Sequence, residues 1–179
     1  MISNYPLITL GSPYGIGYEI FLLCVEKKFF KQHIPFCIGT ETILKYFSDL
    51  LNIPLNFNSI KISDIDSFDF TNLKNIDFFL IDIDEQKLSF SNISEIEKKI
   101  DGLIAYNTIK EAGILVKNGK FKSITTLPVT KESINLIDKD FYGHTEFYQK
   151  LWDEKKVFMT FVSEKMNLLL LTTHIPLKD

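Results

Sequence analysis

The chain has 179 residues, a formal net charge of −3, 45% apolar residues and 24% charged ones, enough for one globular domain with a sizeable core. That balance leaves no basic field to draw in a nucleic-acid backbone or an anionic membrane surface. All 20 basic residues are lysines, so an anion site in this chain must be built from ammonium groups, backbone N–H and hydroxyls, never from a bidentate guanidinium fork.

Taken in order, Met1 to Pro6 lacks the basic n-region and apolar core of a signal peptide, and no apolar run reaches membrane-span length, so the expectation is a cytoplasmic protein. Leu7 to Leu10 reads as a strand, followed by a glycine loop (Gly11, Gly15, Gly17) and a helix over Ile20 to Val25. Free N–H groups at such a helix start favour an anion, although the glycine spacing is neither a Walker loop nor a dinucleotide fingerprint. Cys24 and Cys37 are too far apart for a C-x-x-C pair and are expected as buried free thiols. Phe36 to Ile38 reads as a second strand, and Thr40 as the cap of a helix that places Ile43, Leu44, Phe47, Leu50 and Leu51 on one face before Pro54. The stretch from Asn56 to Asn75 is expected as short exposed strands or loop, with Asp64, Asp66 and Asp69 solvated.

Phe78 to Ile81 reads as a third buried strand, and a long helix is expected from Ser94 to Asn118-Gly119. Ser123 to Leu127 gives a fourth strand that delivers Lys131 to the start of a short helix ending near Ile137, where a cation sits against the helix dipole unless something anionic binds. Val157 to Val162 and Leu168 to Leu171 read as two more strands, apolar on both faces. Six buried-type strands with intervening helices indicate a layered α/β sheet. Of the three histidines, His33 lies in a connection and needs no function. His144 and His174 each sit at the edge of an apolar run, where a strand would deliver the side chain to a loop. A neutral imidazole there can ligate a metal, accept a proton or hold a substrate oxygen, with Thr145, Glu146, Thr172 and Thr173 nearby; spacing alone equally suits ordinary loop histidines.

Four ordered motifs go further. Gly11-Ser12-Pro13-Tyr14-Gly15-Ile16-Gly17-Tyr18-Glu19, Thr126-Leu127-Pro128-Val129-Thr130-Lys131, Gly143-His144-Thr145-Glu146 and Thr173-His174-Ile175-Pro176-Leu177 resemble those of the 4-hydroxythreonine-4-phosphate dehydrogenases of pyridoxal phosphate biosynthesis, the PdxA family. The first departs from that family's pattern at Ser12, which replaces an acidic residue, and at Tyr14 and Tyr18. The resemblance implies a layered α/β/α fold related to isocitrate dehydrogenase, a homodimer in the full-length form, NAD(P), and a divalent metal such as Zn, Mg or Co. It implies substrate binding by His144 and Thr145, metal ligation by His174 and a catalytic role for Lys131. The reaction implied is oxidation and decarboxylation of 4-phosphohydroxythreonine. The same positions would serve another phosphorylated hydroxy acid, such as a four-carbon sugar acid phosphate. Ending at Asp179, about half the family's usual length, the chain is expected to be a single truncated α/β unit over 1–179, matching the N-terminal half of a two-domain family and inactive alone; a non-catalytic remnant or binding module is the other reading.

Overall fold

The computed structural model describes residues 6–30, 33–70, 73–83 and 92–171. Strands β1 (Leu7–Thr9), β2 (Phe36–Gly39), β3 (Phe57–Lys61), β4 (Phe78–Asp82) and β5 (Ile124–Thr126) form one parallel sheet in the order β3-β4-β2-β1-β5. Alternation of side chains along each strand supplies two faces. Ile8, Leu10, Cys37, Phe78 and Leu80 pack against Phe21, Leu22, Ile43, Leu44 and Phe47 from helices α1 (Gly17–Glu26) and α2 (Glu41–Leu51). On the opposite face Leu7, Phe36, Ile38, Phe79 and Ile81 meet Ala112 and Leu115 of α3 (Lys98–Lys117) and Phe121. Helices cover both faces, as the near-continuous apolar strands require, and the layered α/β/α architecture expected from the sequence is the observed one.

Local chemistry departs from the sequence reading in instructive places. Thr40 occupies the N-cap of α2, but its hydroxyl makes no capping bond. Instead Asp82 Oδ1, at the end of the neighbouring strand, accepts from the Glu41 N–H at 3.2 Å, and Tyr18 Oη accepts from the Thr40 N–H at 3.0 Å. The helix is thus capped through space rather than along the chain. A short 3-10 turn over Ile93–Glu95 precedes α3, which begins at Lys98 rather than Ser94. Asn118 and Gly119 end it as expected, Gly119 at φ +71°. Cys37 is buried, but Cys24 is only partly so.

Two expectations are overturned. His144 is not at a strand edge. It is the first residue of helix α5 (His144–Trp152), which follows the short α4 (Lys131–Ile134). The residues Phe147, Tyr148, Leu151 and Trp152 repeat at helical spacing and pack with Ala105, Ile109, Ile134 and Phe141 in a third cluster against α3. Nor do the last two apolar runs join the sheet. They form a separate antiparallel hairpin, β6 (Thr160–Val162) and β7 (Asn167–Leu169), because four residues are enough for a hairpin turn, whereas a parallel pair needs a crossover. Ser163 and Met166 close the turn, the Ser163 N–H donating to Met166 O at 3.1 Å. Among the described residues the sheet therefore has five strands, with β3 taking the edge in a stretch that the sequence left as exposed strand or loop.

The hairpin is open on both faces. Phe161 and Leu168, paired across it, are 56% and 45% exposed, and Val162 is 77% exposed. An isolated two-stranded hairpin is marginal in water, and an open apolar edge recruits other chains. The 179-residue chain is expected to elute larger than a monomer in size-exclusion chromatography with light scattering. Replacing both Phe161 and Leu168 by Ser should shift it toward the monomer while leaving its helical circular dichroism intact.

Candidate functional site

Parallel sheets receive ligands outside the carboxyl ends of their strands, at the point where strand order reverses. Here the chain runs outward from β1 through β2, and α3 later carries it back from β4 to place β5 on the other side of β1. The reversal falls between β1 and β5. The loops leaving those two strands touch. Gly11 lies at φ +78°, and a β-carbon there would come within 2.3 Å of the Pro128 carbonyl oxygen. The Ser12 N–H donates to the same carbonyl at 3.3 Å. Only glycine fits both the left-handed backbone and that approach.

Lys131 opens α4 directly after the β5 loop and is exposed. Its ammonium lies 3.7 Å from the position a β-carbon on Gly143 would take, and Glu146 Oε2 lies 3.1 Å from that point. Lys131 and the Gly143-His144-Thr145-Glu146 segment are therefore neighbours in space. His144 is half-buried, its ring edge-on to Phe141 with centroids 6.2 Å apart. Burial, and then the adjacent Lys131 charge, hold its pKa below the ordinary 6.5, so the imidazole is kept neutral. Its Nε2 is buried with no partner among the described residues, as is the hydroxyl of Tyr148 one turn on. An unpaired buried polar atom costs about 1–3 kcal/mol, so a polar group reaching Nε2 would recover a real fraction of that cost. Burial also raises the Tyr148 pKa well above its ordinary value, so the phenol stays protonated as a donor.

Thr145 follows on α5, exposed. Successive helical residues diverge by roughly 100°, so the hydroxyl does not share the half-buried face of His144. What the two positions do share is the N-terminal turn of α5, whose free N–H groups favour an anion. His174, with Thr172 and Thr173, lies outside the described residues. No group of three or more His, Cys, Asp or Glu that could hold a metal ion occurs among the described residues, which therefore do not by themselves fit a metal centre.

A residue that the sequence reading passed over completes the crevice. Asp101, in the first turn of α3, is fully buried, and its Oδ1 accepts from the Ser12 hydroxyl at 2.5 Å and the Tyr14 N–H at 2.9 Å. Ser12 Oγ lies 3.2 Å from Thr130 Oγ1. The available signal was a lone acid between Ile100 and Ile104, where the helix is otherwise apolar.

A family model described as "Pyridoxal phosphate biosynthetic protein PdxA" matches residues 31–179. A 4-hydroxythreonine-4-phosphate dehydrogenase of Aquifex aeolicus is 34% identical over 96% of this chain and 50% of its own length. A Clostridium botulinum protein, provisionally assigned as a D-threonate 4-phosphate dehydrogenase, is 33% identical over 99% of this chain and 52% of its own. The crystal structure of a Burkholderia phymatum 4-hydroxythreonine-4-phosphate dehydrogenase superposes with a TM-score of 0.77 at 25% identity, covering 97% of this chain and 52% of that one. The chain spans about half the length of the curated relatives it matches.

The state of His144 predicts a pH dependence of stability. Its folded pKa is depressed, so between that value and the ordinary 6.5 the unfolded chain binds more protons than the folded one, and stability rises with pH across the window. The contribution to the slope is at most ~1.4 kcal/mol per pH unit. Urea unfolding followed across this range should show that rise, and His144→Asn should flatten it.

Proposed function

This chain belongs to the pyridoxal phosphate biosynthetic PdxA family, and from that premise we propose that it carries the substrate-binding side of an NAD(P)- and divalent-metal-dependent dehydrogenase acting on a phosphorylated four-carbon hydroxy acid. The observation that carries the reading is the placement of the Lys131 ammonium beside Gly143, next to a neutral, half-buried His144, near the β1 and β5 loops. Such a pair suits an anionic substrate with a secondary hydroxyl. The ammonium attracts the carboxylate or phosphate, and the half-buried imidazole is suited to hold the hydroxyl. Thr145 and the N–H groups opening α5 add donors for a second anionic group.

The reaction proposed is oxidation at C3 of 4-phosphohydroxythreonine followed by loss of the carboxyl group. The C3–H leaves as hydride and the hydroxyl loses its proton, giving a ketone β to the carboxylate; the carbon–carbon bond then breaks, releasing CO2 and an enolate that is reprotonated. When bound, a nicotinamide would take the hydride, and a divalent metal would lower the hydroxyl pKa and stabilise the enolate. Among this chain's own groups, His144 is suited to receive the hydroxyl proton, because it is neutral over the relevant pH range. Lys131 is suited to offset negative charge as it grows on the substrate oxygen. His174 is proposed as the chain's contribution to the metal site, which needs further ligands, since catalytic centres use about three protein side chains.

A second reading has its own support in the Clostridium botulinum relative. D-threonate 4-phosphate also carries a C4 phosphate, a C3 hydroxyl and a carboxylate, and differs at C2, where a hydroxyl replaces the amine. The same Lys131 and His144 would serve it. In both readings the active form is a homodimer, and the 179-residue chain alone is not expected to form NADH.

Isothermal titration with each substrate separates the readings. The preferred acid should bind, and Lys131→Ala should weaken it by about 10–100-fold, the worth of one charge-assisted contact. If neither acid binds, the proposal fails. In the full-length form, metal content by elemental analysis after loading with Zn2+ should fall in His174→Ala and persist in His144→Ala; loss in the second variant would reverse the two histidines' roles.

A further inference from the structure

We propose that Asp101 is a positioning residue that locks the two crevice loops together and thereby holds Lys131 against His144. The inference rests on the reading of Lys131 and His144 as site residues, and adds a residue that neither the motifs nor the comparisons assign. Asp101 is fully buried in the first turn of α3, the helix whose start reaches over the carboxyl edge of the sheet. Ile96, just before it, packs in the α1/α2 cluster, while Ala112 and Leu115 pack on the opposite face. From there one carboxyl oxygen binds the β1 loop at two points, the Ser12 hydroxyl and the Tyr14 N–H. The Tyr14 hydroxyl ties the same loop to the carbonyl of Ile96.

Proton counting gives the direction of the remaining link. Ser12 has a single hydroxyl proton. Donated to Asp101, it leaves the Ser12 lone pairs to accept from Thr130 at 3.2 Å. The chain of bonds then runs from Thr130 through Ser12 to Asp101, and Thr130 is the residue immediately before Lys131. The start of α3 grips α4 at a second point: a β-carbon on Gly102 would lie 2.0 Å from the Ser133 carbonyl oxygen, so the two helices are in backbone contact. Asp101 and Gly102 thus hold both ends of α4's first turn, and Lys131 projects from it to Gly143. The other carboxyl oxygen, Oδ2, is buried without a partner among the described residues. A buried carboxyl satisfied on one side only is a poor stabilising device, which fits a residue present for geometry rather than for stability.

The test reads the Lys131–His144 proximity directly, by histidine-selective 13C NMR titration of the 179-residue chain. The charged or titratable groups near His144 among the described residues are Lys131 from α4, and Glu146 and Tyr148 on its own helix; the Phe141 ring against it is uncharged. Lys131→Ala calibrates the probe and should raise the His144 titration midpoint. Asp101→Ala should reproduce that upward shift, because Lys131 is no longer held. Asp101→Asn keeps an oxygen acceptor for Ser12 and Tyr14 and should restore the wild-type midpoint, a rescue that general loosening of the core would not give. Ser12→Ala cuts the same link without touching α3 and should shift His144 in the same direction, even if Asp101→Ala does not fold. An unshifted His144 in both Asp101→Ala and Ser12→Ala would overturn the proposal, as would no shift in Lys131→Ala. If the shifts appear while neither phosphorylated acid binds, the positioning role stands and the functional reading falls.

Discussion

Everything at the crevice depends on β1 being paired on both sides. Its three residues, Leu7, Ile8 and Thr9, are buried and lie in parallel register with Phe36 to Ile38 of β2 and with Ile124 to Thr126 of β5. Parallel ladders on both flanks satisfy the backbone of a strand too short to be stable alone, and they align the carboxyl ends of β1 and β5. That alignment brings Gly11 onto Pro128 and Ser12 toward Thr130. A strand inserted between them, or a β5 placed beside β3, would scatter the same residues across the molecule.

Helix α3 is the second determinant. A parallel pair needs a crossover, and the one from β4 to β5 must pass over β2 and β1 to reach the far side of β1. Its twenty residues serve three neighbours: Ala112 and Leu115 meet the sheet, Ala105 and Ile109 meet α4 and α5, and Asp101 meets the β1 loop. This explains why the helix lacks one clean apolar stripe and why a carboxyl is tolerated among isoleucines. The crossover that builds the fold also carries the group that organises the candidate site.

Strands β1, β2 and β4 were legible in the sequence because they are buried on both faces and read as nearly unbroken apolar runs, such as Phe78 to Ile81 between Asp77 and Asp82. β3 was not, since Phe57-Asn58-Ser59-Ile60-Lys61 is a half-exposed edge whose pairing is decided by β4 rather than by its own composition. The β6–β7 hairpin was placed wrongly for a related reason: apolar content signals a strand without saying which sheet will receive it. His144 was found as a motif residue but put on the wrong kind of element, because helical repetition begins only after it, at Phe147. Asp101 was missed because its partners, Ser12 and Tyr14, are nearly ninety residues away.

Lys131, His144 and the N-terminus of α5 owe their relationship to that switch point, and the central claim is that ligand binds there rather than at the outer strand ends near Asp82 and Lys61. Backbone 1H–15N chemical-shift mapping tests this most directly, with 4-phosphohydroxythreonine and, separately, D-threonate 4-phosphate titrated into the labelled chain. Perturbed amides should cluster in residues 11–15, 127–131 and 143–146. Perturbations confined to residues 39–41, 59–61 and 81–83 would contradict it.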